Sequence, residues 1–114
     1  MKKAIGRRGS WFAEVAGEKL PCIHRHWLKV FDYHDPFDRR HEAAKQRKIA
    51  EYVDAIRSAG RVILTDDDAI YDPDGKVSGF SRTSYIAIYG VDNVSFDTAN
   101  GLTLQISTRL ENLE

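Results

Sequence analysis

The densest run of reactive side chains in the chain is Cys22-Ile23-His24-Arg25-His26-Trp27-Leu28-Lys29. Side chains of an extended strand alternate between two faces, so this run sets Cys22, His24 and His26 in one row. Thiolate and imidazole are ligands for zinc or iron, and His34 with Asp35 follows closely enough in sequence to complete a site. His24, His26 and His34 are therefore the candidate metal ligands, with zinc the divalent ion they suit. The single cysteine rules out the paired CxxC of finger-like sites. The same residues also have plainer uses. A histidine row serves as the half-wet face of a strand, and Cys22 packs as a small buried hydrophobe.

The opposite face of that strand reads Ile23, Arg25, Trp27, Lys29, Phe31, with cations and rings interleaved. Sheet surfaces of this kind hold single-stranded nucleic acid, the rings stacking on bases and the cations meeting phosphates. Arg39, Arg40, Lys45, Arg47 and Lys48 add positive charge to the start of an expected helix, where the macrodipole disfavours it. Cations placed against the dipole point to a partner. Arg25, Trp27, Lys29, Arg39, Arg40, Arg47 and Lys48 are the candidate nucleic-acid contacts. Against this stands a solvated helix face with pairs such as Arg47 with Glu51 and Asp54 with Arg57. Trp11 and Trp27 serve equally well as core anchors. The signatures of the common RNA-binding modules RRM and KH are absent.

Asp66, Asp67 and Asp68 follow a run with strand character, and carboxylates at a strand end can hold Mg²⁺ for phosphoryl chemistry. Combined with the histidines they would make a metal-dependent hydrolase. Three adjacent aspartates, however, point in three directions, as in a solvated turn. Pro73-Asp74-Gly75-Lys76 is explained as a turn. There is no G-x-S-x-G, no P-loop and no G-x-G-x-x-G, so neither a serine hydrolase nor ATP or NAD chemistry is indicated.

Charge divides the chain. Residues 1–60 carry 13 basic and 8 acidic side chains, a net +5, and residues 61–114 carry 4 and 9, a net −5. A polyanion would meet the first half alone. Alternatively, the halves neutralise one another within the fold or in a head-to-tail homo-oligomer. With 114 residues, 42% apolar and 30% charged, a single domain over 1–114 is expected. The lone cysteine, and a basic start (Lys2, Lys3, Arg7, Arg8) without an apolar run behind it, fit a cytoplasmic protein. No stretch approaches the ~18 apolar residues of a membrane span.

The elements that would position these residues follow from periodicity. Residues 11–15 and 19–31 read as a hairpin turning at Gly17-Glu18 in a II′ turn, with Pro21 at an edge or bulge. Asp35-Pro36, or alternatively Asp38, opens a helix. Its apolar stripe is Gln46, Ile49, Tyr52, Val53, Ile56 and Ala59, and Gly60 caps it. Residues 61–65 form a buried strand, 69–72 and 76–80 a hairpin, and 85–89 a further strand. A last hairpin joins 91–97 to 102–110 around Asn100-Gly101. In its final strand Leu102, Leu104, Ile106, Thr108 and Leu110 share one face.

The fold expected is α+β: a strongly bent antiparallel sheet or small open barrel of about six to seven short strands, with one long amphipathic helix between strands 2 and 3. The function expected is a small binding module, rather than an enzyme, contacting nucleic acid through its basic N-terminal half. The alternatives are a metal-dependent hydrolase built on the histidine cluster and a non-catalytic interaction or oligomerisation domain.

Overall fold

The computed structural model describes residues 3–6, 11–36, 46–97 and 99–113, with backbone alone for Gln46 and residues 78–83. Its elements are β1 (Ala4–Ile5), β2 (Phe12–Val15), β3 (Glu18–His24), a 3₁₀ turn (Arg25–Trp27), β4 (Leu28–Lys29), β5 (Asp32–Asp35), α1 (Gln46–Ala59), β6 (Arg61–Tyr71), β7 (Val77–Asp97) and β8 (Gly101–Asn112). The strands form one mixed sheet in the order β1-β2-β3-β6-β7-β8-β5-β4.

This corrects the expected fold on three counts. The sheet has eight strands, it contains a parallel pair, β3 with β6, and the helix lies between the fifth and sixth strands. Strand periodicity reports which face is buried but not which neighbour a strand takes. The parallel register Cys22↔Ile63, Ile23↔Leu64, His24↔Thr65 therefore had no local signature. β1, β4 and β5 are two to four residues long, too short for a pattern.

The expected strand over 19–31 stops at His24. A 3₁₀ turn follows, then the β4–β5 hairpin, in which Val30 takes a φ of 55°. A β-branched residue rarely enters that region, and a run of apolar and charged residues does not announce it. The hairpin before it turns at Ala16 and Gly17, with φ of 52° and 81°. Two positive values make a type I′ turn one residue earlier than the expected II′ turn. Asp35 closes β5, paired with Leu102; residues 37–45, including the alternative helix start at Asp38, lie outside the described residues.

The sheet is rolled, as its connectivity shows. β3 and β4 are joined by three residues, yet four strands separate them in the sheet. Laid flat they would stand about 24 Å apart at ~4.8 Å per strand. Instead Tyr33 on β5 reaches across, its hydroxyl accepting the His24 backbone N–H at 3.2 Å. Inside the roll lies α1. Ile49, Tyr52, Val53 and Ile56 pack against Ile23, Tyr33, Val62, Leu64, Leu102, Leu104 and Ile106. Each such side chain, fully buried, contributes about 1.5–3 kcal/mol. The outer face of β3 and β6 is also closed, by Ala4, Ala13, Val15, Leu20, Cys22, Ile63, Ile88 and Leu113. The helix ends where the glycine predicts: Gly60, at φ 67°, donates its N–H to Ile56 at 3.0 Å.

β7 and β8 slip past one another between Tyr89 and Val91, so Tyr89 faces Arg109 and Val91 faces Ile106. Beyond that bulge the alternation breaks, leaving Thr108 and Leu110 exposed although Leu102, Leu104 and Ile106 are core. No helix among the described residues is long and apolar enough to cross a membrane.

Candidate nucleic-acid interface and a histidine–aspartate pair

The backbone gathers its candidate residues at one end of the sheet. β3 and β6 run parallel, and α1 returns antiparallel to them: Lys48 lies by Trp11, Tyr52 by Cys22, and Gly60 leads directly into β6. The start of α1, the end of β3 and the start of β2 therefore share the end at which β3 finishes.

Only part of the predicted ligand row survives. Cys22 faces the outer core and is buried, while its neighbour Ile23 faces α1 and is buried too, so both faces of this strand are interior. His24 turns to Asp67. His26, carried by the 3₁₀ turn, is exposed and meets the Trp27 ring edge-on at 4.7 Å. His34 lies on β5 at the β7–β8 turn and donates from Nε2 to the Asn100 carbonyl. Each of these three histidines has a separate partner, and among the described residues no three His, Cys, Asp or Glu side chains form a metal-holding group. The strand alternation that would have aligned them ends at His24.

Of the predicted basic contacts, Arg25, Lys29, Arg47 and Lys48 are exposed. Trp27 is half-buried against the inner core, and Arg39 and Arg40 lie outside the described residues. The aromatic surface is a different one from that expected. Trp11 and Phe12 both meet the Tyr52 ring edge-on, at 5.3 and 6.1 Å, and a lysine stands over each: Lys48 Nζ is 5.2 Å from the Trp11 centroid and Lys19 Nζ 4.5 Å from that of Phe12. Tyr52 is fixed by donating to the Cys22 carbonyl. Trp11 and Phe12 remain half-buried rather than enclosed. The sequence signal was an adjacent Trp-Phe pair opening a strand, but nothing local tied it to Tyr52 forty residues on.

Beside this surface, at the last β3–β6 pairing, lies a polar group drawn from three strands. His24 Nδ1 is hydrogen-bonded to Asp67 Oδ2. The Asp67 side chain is 1% exposed and that of His24 19%. The Thr65 hydroxyl stands 2.9 Å from Asp67 Oδ2 and 3.1 Å from the Ile23 carbonyl. Tyr33 completes the wall, and burial, with the Asp35 carboxylate next in weight, pushes its hydroxyl well above the usual phenol range. Of the three consecutive aspartates, Asp67 has its side chain enclosed, while Asp66 is half-buried and Asp68 exposed. A bulge between Asp66 and Asp67 re-aims the strand here. A pocket of about 230 Å³ lined by Val15, Glu18, Arg61 and Leu110 lies at the other end of β3 and β6, away from this chemistry.

No family model matches the chain, and no curated protein or solved structure matches it.

Proposed function

We propose that the protein binds single-stranded nucleic acid at the end of the sheet where β3 finishes and α1 begins. The observation that supports this reading is the ring cluster Trp11, Phe12 and Tyr52 with Lys48 and Lys19 standing over its two outer members. A base takes the place of a lysine on a ring face, and the displaced ammonium meets the adjoining phosphate. This exchange keeps both the stacking and the charge pairing. Arg25 in the 3₁₀ turn, Lys29 in β4 and Arg47 in α1 extend the positive field. Asp67, turned inward against His24, withdraws one carboxylate from the path of the strand. In this reading the protein works in a reducing cytoplasm, where the buried thiol of Cys22 stays reduced.

Fluorescence anisotropy with a labelled single-stranded oligonucleotide tests it. Lys19→Glu with Lys48→Glu weakens binding at least tenfold and flattens the salt dependence by about 0.7 in log–log slope for each phosphate that is no longer neutralised. Trp11→Ala costs about 1–3 kcal/mol of binding by removing a stacking ring. Unchanged affinity and unchanged salt slope in the double variant would overturn the proposal.

A further inference from the structure

Past the last β3–β6 pairing, His24 with Thr65, β6 runs on through residues 66–71 paired to β7, and Asp72-Pro73-Asp74-Gly75 turns the chain back. At ~3.4 Å per residue this ribbon reaches about 20 Å beyond that pairing. It starts at the end of the sheet that carries Trp11, Phe12 and Lys48. A two-stranded ribbon gains little from its own pairing in water. This one also carries Ile70 and Tyr71, neighbours in the chain and both exposed. Single exposed apolar residues are ordinary; adjacent ones on a projecting ribbon suit burial against a partner.

The chemistry of that partner follows from charge. Residues 66–84 hold five aspartates against Lys76 and Arg82, a net −3. Asp68 and Asp74 are exposed. Their complement is a surface of rings and cations, and this chain has one: Trp11 and Phe12 with Lys48 and Lys19 over their faces, Arg25 after the end of β3 and Arg47 at the start of α1. Ribbon and cluster lie at the same end of the molecule. Two copies set end to end about a two-fold axis therefore meet twice, each ribbon on the other's cluster, and the assembly closes at two. Surfaces at opposite ends would instead have built an open filament.

We infer that the protein forms a reversible two-fold dimer in which the acidic ribbon of each copy docks on the Trp11–Phe12 surface of the other. Asp68 and Asp74 meet the cations of the cluster, and Ile70 with Tyr71 covers its rings. Two small contacts of this kind make a weak interface, populated as protein concentration rises. Resting on the nucleic-acid reading, the contact is also regulatory: ribbon carboxylates stand where a bound strand would place phosphates, so dimer and nucleic-acid complex exclude one another.

Sedimentation velocity of the full chain without nucleic acid tests the contact. A dimer is expected at low salt and a monomer at about 1 M salt, where the screening length falls to about 3 Å. Two variants carry opposite reversals: Lys19→Glu with Lys48→Glu on the cluster, and Asp68→Lys with Asp74→Lys on the ribbon. Each alone weakens dimerisation at least tenfold, because like charges then face one another in both contacts. Mixing the two restores a dimer of one copy each, since every ribbon again meets a cluster of opposite sign. Misfolding of a variant cannot produce that rescue. A single-stranded oligonucleotide added to the native dimer is expected to dissociate it into liganded monomers. A chain that is monomeric at low salt up to its solubility limit, a dimer unaffected by either reversal, or a mixture of folded variants that stays monomeric overturns the inference and leaves the nucleic-acid reading in place. Oligonucleotide held by the intact dimer overturns the shared site. A dimer that shows the rescue in a chain that binds no oligonucleotide supports the contact and overturns the nucleic-acid reading alone.

Discussion

The β6–β7 hairpin is two structures in one. Its inner part, β6 residues 61–65 with β7 residues 85–90, is flanked by β3 on one side and β8 on the other and is covered on both faces. Its outer part, residues 66–71 with 77–84, has left both neighbours: β3 pairing ends at Thr65 and β8 pairing begins at Ala87. Among the described residues this outer ribbon is two strands wide. Val62, Ile63 and Leu64 are at most 5% exposed, whereas Ile70 and Tyr71 are 49% and 58% exposed. The β6–β7 ladder itself runs through both parts, so it is the loss of the flanking strands, and the burial they bring, that separates them. A two-stranded ribbon alone is marginal in water, and this one is held by its continuity with the body.

The largest expected break in that comparison is in the body. Ile56→Ala, at a fully buried position of α1, should cost about 3–4 kcal/mol in urea unfolding, while Ile70→Ala on the ribbon should change stability by no more than about 0.5 kcal/mol. Comparable costs at both sites would show that the ribbon is packed along its length rather than held at its base.

A second contrast falls where the two parts meet. Asp67→Ala removes an enclosed carboxylate that holds His24 and Thr65, and is expected to cost about 2–3 kcal/mol. Asp68→Ala, one residue outward and exposed, should be near neutral. Equal effects from the two would undo the distinction between the inward and outward carboxylates.

Tyr33 sharpens the comparison through pH. Its phenol is raised in the folded state by burial and by Asp35, so the unfolded chain releases that proton first, near pH 10. The stability it contributes is complete below that value and is lost as pH rises through the folded pKa, at roughly 1.4 kcal/mol per pH unit. Unfolding measured at pH 8 and above pH 10 should show this extra slope in the native chain and its absence in Tyr33→Phe.

The smallest effect concerns the two hairpin turns. Asp97 accepts from the Ala99 and Asn100 amides at the turn tied to the body, and Asp72 accepts from those of Asp74 and Lys76 at the ribbon tip. The Asn100 hydrogen bonds hold the Asp97 carboxyl below its usual range. A carboxyl lowered in this way stabilises above the unfolded pKa of ~3.9, and the stabilisation disappears as pH falls through the folded one. Asp97→Ala should lower the melting temperature slightly at pH 7 and not at pH 2. Asp72→Ala, on a ribbon already loosely held, should lower it less.

Parts of this molecule could be read directly from sequence because they rest on neighbours within a few residues. The stripe Ile49, Tyr52, Val53 and Ile56 depends on the 3.6-residue period, the stop at Gly60 on a single positive φ, and the turns at Asp72-Pro73-Asp74-Gly75 and Asn100-Gly101 on local torsions. The histidine row failed because it assumed that alternation continues past His24, where the 3₁₀ turn ends it. The pairing of His24 with Asp67 and the lysine-capped rings could not be found at all. They join residues 43, 41 and 37 apart, or in the case of Lys19 and Phe12 face one another only once a hairpin register is set.

An amphipathic helix, its C-terminal cap, the hairpin turns and a basic first half are all legible in the amino acids. Each of these is a short-range or compositional property, fixed by torsions, spacing or a count of charges. Long-range packing set β3 parallel to β6, rolled the sheet until Tyr33 reaches His24, and enclosed the Asp67 carboxylate. Those features depend on how much apolar surface each competing arrangement would bury, a sum over the whole chain that no local window contains.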